Sequence, residues 1–130
     1  MSAQIAVTAL HDLLSQLGGD REVQRRFVHD YLRLWRGRSE RLTAALAVPG
    51  AGNAEEAHVV LLSIRSSSTM VGAVRVEAAA AMMHDALRDG DIAGSVRHID
   101  QLNRVGEQAC ADLALMFALQ RHGHTAPAER

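Results

Sequence analysis

Seven histidines, a single cysteine and a run of serines around Arg65 are the residues of this 130-residue chain with the most chemistry to offer. An imidazole can act as nucleophile, base or metal ligand near neutral pH, so the histidines come first. His29, His84 and His98 fall in three separate helical stretches and no HExxH spacing occurs, which argues against a metal site. His122 and His124 stand in RHGHTAPAER, where a solvated chain end is the expectation. His58, in AEEAHVVLL, is the one that needs weighing. Spacing offers no Ser-His-Asp grouping, phosphate-cradling glycine loop or carboxylate pair, so neither an enzyme nor a cofactor is expected. Cys110 cannot form an internal disulfide and sits in CADLALMF, a setting for a buried thiol in a reducing, cytoplasmic compartment. The serines of SIRSSST lie within a helical stretch and are expected to pack against a neighbouring helix as small residues, not to serve as phosphosites.

These residues need elements to position them. With 48% apolar and 22% charged residues the chain should fold, and its length suits one domain. The two prolines, Pro49 and Pro127, leave long stretches free of the strongest helix breaker. Five helices are predicted. The first runs from about Ile5 to Leu17 and stops at Gly18-Gly19; Asp20 caps a second that turns Val23, Phe27, Tyr31, Leu42 and Leu46 inward and that Gly37 need not break. PGAGN, residues 49–53, ends it, and Asn53 is the expected cap of a third helix from about Ala54 to Met70, closed by Gly72. A fourth, from about Val74 to Arg88, buries Val76, Ala80, Met83 and Leu87; RDGD then turns the chain. In the fifth, Ile92, Val96, Ile99, Leu102, Val105, Ala109, Leu113 and Met116 keep steps of three and four, the period of a bundle seam. Short connections between long amphipathic helices predict an all-α fold, an antiparallel four-helix bundle with an additional N-terminal helix, over residues 1–120, with a frayed tail over 121–130.

In the third helix Ala57, Leu61, Ile64, Ser68 and Val71 mark the inward stripe. At about 100° per residue Leu62 then points about 140° away from it, into solvent, with Val59, Ser66 and Met70 on the same outer side. His58 and Arg65 fall on the flank, about 40° and 60° from Leu62.

The segment LLSIRSSSTMVGA, residues 61–73, resembles the signature of the histidine-containing phosphotransfer (Hpt) family, close to A-H-x-L-K-G-S-S-x-x-x-G-A. Ile64, Arg65, Ser67, Ser68 and Gly72-Ala73 match it. GGDREVQRRFVHDYL, SERLTAAL and AAAMMHDALRDGD look like the family's earlier and later stretches, so the resemblance covers most of the chain. Two departures matter: Leu62 stands where the family's phosphorylated histidine would be, and Ser66 where its small glycine would be. Leucine has no lone pair to attack phosphorus, whereas Arg65 retains a basic group that can hold phosphoryl oxygens. The resemblance therefore implies a degenerate Hpt domain of a bacterial phosphorelay. Such a domain would bind a response-regulator receiver domain or a hybrid histidine kinase through Val59, Leu62, Arg65, Ser66 and Met70 without carrying phosphate. The alternative is an active carrier with His58, one turn early and preceded by Ala57, as acceptor.

Other partner classes fare worse. A net charge of −1 supplies no field that draws the chain to nucleic acid or an anionic membrane. Half of the 14 arginines lie between Arg21 and Arg41, yet Asp20, Glu22, Asp30 and Glu40 interleave them, and Phe27, Tyr31 and Trp35 have the spacing of packing residues. A solvated helix face is expected there. The longest aliphatic run, VVLL, is far short of a membrane span, and a monomer is expected.

Overall fold

A computed structural model describes residues 5–47 and 51–119, residues 51 and 52 by their backbone alone. The fold is all-α: α1 (Val7–Gln16), α2 (Arg21–Ala47), α3 (Ala51–Val71), α4 (Val74–Arg88), α5 (Ile92–Arg97) and α6 (Ile99–Phe117). Pairing of extended backbone among the described residues is confined to one bridge between Ile5 and Ala73. The expected tail, 121–130, lies outside the described residues, as do Val48, Pro49 and Gly50 of the break between α2 and α3.

The helix ends follow local chemistry. Gly18 and Gly19 adopt φ of 70° and 80°, ending α1. The Asp20 carboxylate then accepts from the Glu22 and Val23 amides at 3.0 and 3.2 Å, capping α2 as expected. Helix α2 runs unbroken through Gly37. Helix α3 begins at Ala51, so Asn53 stands inside its first turn and not at its cap; Ala51 is itself a strong helix former. Gly72, at φ 78°, closes α3, with the Ala73 amide bonded to the Ser68 carbonyl at 2.8 Å. A side chain at Gly72 would meet the Ala6 carbonyl oxygen at 2.6 Å, because the segment entering α1 crosses this turn and the Ala6 amide donates to the Gly72 carbonyl.

The predicted fifth helix is two helices, α5 and α6, meeting at His98. Asp91 caps α5 through the Gly94 amide, and the buried Ser95 hydroxyl donates to the Met83 carbonyl at 3.1 Å. Ser95 thus faces α4 while the buried Gly94 packs under the Asp91 carboxylate, and the apolar seam does not extend back through α5: Ile92 and Val96 are exposed, as is Met116 at the far end. From Leu102 through Val105 and Ala109 to Leu113 the seam is buried as predicted.

One core joins the helices. α2 packs on α3 and α6, and α4 packs on α3 and α6, while among the described residues neither α2–α4 nor α3–α6 makes a close backbone approach. Leu32, Leu42, Leu61, Ile64, Val76, Met83, Leu102 and Leu113 fill the centre. In α2 the buried stripe is Gln24, Val28, Tyr31, Leu32, Trp35, Leu42, Ala45 and Leu46, with the predicted Val23 and Phe27 half-buried at its margin. Trp35 lies against Gly106 of α6, where any Cβ would come within 1.8 Å of the indole, so glycine is what lets α2 and α6 meet there. Cys110 is buried, as its sequence setting predicts. Among the described residues no helix is long and apolar enough to cross a membrane.

Candidate functional site

The five residues of α3 predicted to face inward, Ala57, Leu61, Ile64, Ser68 and Val71, are all fully buried, as is Val60, which fixes the helix's rotation. Leu62 therefore stands on the outer crest, 53% exposed, with Val59 at 49%, Met70 at 38% and Ser66 also exposed. From Val59 to Met70 this strip is about 16 Å long. At its Met70 end lies a shallow depression lined by Ala9, Asp12, Leu13 and Gln16 of α1 and by Thr69. Scattered exposed apolar residues are ordinary; here three of them share one face of one helix.

Polar seams border the strip on both sides. Towards α2, Arg38 donates to the Ser67 hydroxyl at 3.1 Å, and that hydroxyl donates to the Ser63 carbonyl at 2.7 Å. Arg41 clasps Glu56 through two donors at 3.0 and 2.7 Å. Beneath this seam Ser68 meets the Tyr31 hydroxyl at 2.7 Å, and burial pushes the phenol well above its usual range. Partial burial also lowers the Arg38 guanidinium. The serines of SIRSSST are thus split: Ser67 and Ser68 serve interhelical contacts as expected, while Ser66 faces solvent.

Towards α4 lies a chain of four side chains. The Arg65 Nη1 is 3.1 Å from His84 Nδ1, the His84 Nε2 is 2.8 Å from His58 Nδ1, and Arg65 Nη2 is 3.5 Å from a Glu77 carboxylate oxygen. A guanidinium only donates, so His84 Nδ1 must accept and the ring's proton sits on Nε2. That N–H then points at His58 Nδ1, which must accept in turn, leaving the His58 proton on its own Nε2. Burial, then the neighbouring His58, Arg88 and Arg65, lower the His84 pKa below the ordinary histidine value, against a smaller opposing pull from Asp85.

His84 in α4 lies apart from His29 in α2 and from His98 at the α5–α6 junction, as expected, and the structure brings it onto His58 of α3, a contact not expected from the sequence. A signal was available. His58 lies thirteen residues before Val71 and His84 thirteen after it, while Arg65 and Glu77 lie six before and six after. In a helical hairpin turning at Gly72, each such pair sits level across the two helices. His84 is also four residues from the inward Ala80 and three from the inward Leu87, which places it on the buried side of α4.

Chemically, the strip offers exposed apolar area and little reactivity. Leu62, at its centre, offers no nucleophile, and among the described residues no three side chains are placed to hold a metal ion. No protein-family model matches the chain, and no curated protein and no solved structure matches it significantly.

Proposed function

We propose that this chain is a degenerate Hpt module of a bacterial phosphorelay, docking a receiver domain of a response regulator or hybrid kinase through the crest of α3 without accepting phosphate. The observation that carries the reading is the outward Leu62, seated where the family motif has its phosphorylated histidine and bordered by Val59, Ser66 and Met70. The ring of contacts α2–α3–α4–α6 supports an Hpt-like antiparallel four-helix bundle in which α1 is the additional helix. Burial of an exposed leucine in a partner contributes at most about 1.5–3 kcal/mol, enough to decide a transient complex.

Transfer through His58 is the competing reading, and the hydrogen-bond chain weighs against it. Attack on phosphorus needs an unprotonated ring nitrogen; the Nδ1 lone pair is engaged by His84 and Nε2 carries the proton. Arg65, which would steady a phosphoryl group, is already shared between His84 and Glu77.

The whole chain mixed with phosphorylated receiver domains of the same organism tests both readings. Binding without acid-labile phosphate on the chain, weakened at least about tenfold by Leu62→Asp with the helical spectrum unchanged, is the expected result. Phosphate on the chain that disappears in His58→Gln would establish the carrier instead, and no binding to any receiver would end the docking reading.

A further inference from the structure

The His58–His84 contact joins the docking crest to the core and has a property that the pseudo-Hpt reading does not use. Each ring has a single site left for an incoming proton, Nδ1, and in each ring that atom is already accepting a hydrogen bond. A proton arriving at His84 must displace the Arg65 N–H and leaves an imidazolium facing a guanidinium. A proton arriving at His58 must displace the His84 N–H. Either event breaks the chain, and both would place cations side by side at a site where His84 is buried. We propose that His58, His84, Arg65 and Glu77 form a proton-operated latch between α3 and α4, closed near neutral pH and opening more often in mild acid because only the open form takes a proton on His84 Nδ1, that governs presentation of the Leu62 crest.

The surroundings favour the neutral, closed state. The charged and titratable groups acting on His84 are His58 and Arg65 from α3, and Arg88 and Asp85 from α4 itself; α5 and α6, which also pack on α4, add none among the described residues. Three of these four oppose a positive ring and only Asp85 favours it. Glu77 stands behind Arg65 and keeps the guanidinium near the ring. His58 is one turn before Leu62 and adjacent to Val59, so loosening of α3 from α4 at His58 acts directly on the crest.

Control of docking rests on the proposed function, whereas the latch itself rests only on these contacts and is tested without a partner. In the whole chain at pH 7.5, long-range proton–nitrogen spectra should find the proton of both rings on Nε2, and His84 should titrate below the ordinary histidine range. Between about pH 7.5 and 5.5 the unfolding equilibrium constant of the wild type should rise more than that of His84→Gln, by up to about tenfold, the ceiling for an imidazole that titrates near about 6.5 when unfolded and resists protonation when folded. The glutamine amide can still accept from Arg65 and donate to His58 but cannot titrate. Amide exchange over residues 59–65, corrected for intrinsic rates, should accelerate at about pH 5.5 in the wild type and not in His84→Gln. A proton on His84 Nδ1, an ordinary His84 titration, or equal pH dependence in the two proteins would overturn the latch. If His84→Gln does not fold, the wild-type spectra and titration decide alone. Absence of receiver binding would end the docking reading and leave these outcomes unaffected.

Discussion

At the scale of single residues, Leu62 and Tyr31 mark opposite extremes of α3's surroundings. Leu62 is half in solvent, so Leu62→Asp should change the unfolding free energy by no more than about 0.5 kcal/mol in a urea titration. A larger loss would mean that the residue packs against the protein itself. Tyr31 is buried with its hydroxyl on Ser68, so Tyr31→Phe, which leaves a buried serine short of a partner, should cost about 1–3 kcal/mol in the same measurement. For His84 the sign follows from its lowered pKa: the folded chain resists protonation more than the unfolded one. Its contribution is therefore fully present above about pH 6.5 and is lost as pH falls towards the folded-state value. The outward placement of Val59, Leu62, Ser66 and Met70 was legible from rotation about one helix, because the buried Leu61 and Ile64 fix that rotation. The His58–His84 contact was harder to read, since it depends on the register of two helices and is signalled only by equal spacing on either side of the Gly72 turn.

Helix starts at Asp20 and Val74 were readable because each is set by a local event, a carboxylate cap or the glycine turn preceding it. The stretch 92–116 reads as one helix because its apolar spacing continues across His98, while the packing of α5 is decided by Gly94 and Ser95, too small to register in an apolar pattern. Gly106 shows the same blindness: inside α6 it looks like a mild helix defect, yet it receives Trp35. Gly106→Ala gains helix propensity of about 1 kcal/mol but forces the indole aside, and overpacking of this kind costs about 1–3 kcal/mol. The net expectation is destabilisation with a shifted tryptophan emission; a more stable protein with unchanged emission would show that the indole is not held there. Asp20→Ala should cost about 0.5–2 kcal/mol, read by thermal unfolding, through loss of the two amide contacts that start α2.

For the molecule as a whole, charge is nearly balanced, and the groups beside the exposed strip of α3 are paired internally, Arg41 with Glu56 and Arg65 with Glu77. The proposed docking through the crest should then depend little on ionic strength: raising salt from about 0.05 to 0.5 M should change affinity for a receiver that binds there by less than about threefold. A steep salt dependence would move the contact from the apolar strip to the arginines of α2. The chain's sole tryptophan also bears on how the molecule assembles. Trp35 and Gly106 are 71 residues apart, whereas α3 and α4 meet across a two-residue turn. Loop-closure entropy makes the hairpin the cheaper contact to form and the α2–α6 closure the dearer. Indole emission during refolding should therefore time the completion of the core, and remain silent while the histidines across the α3–α4 turn first find each other.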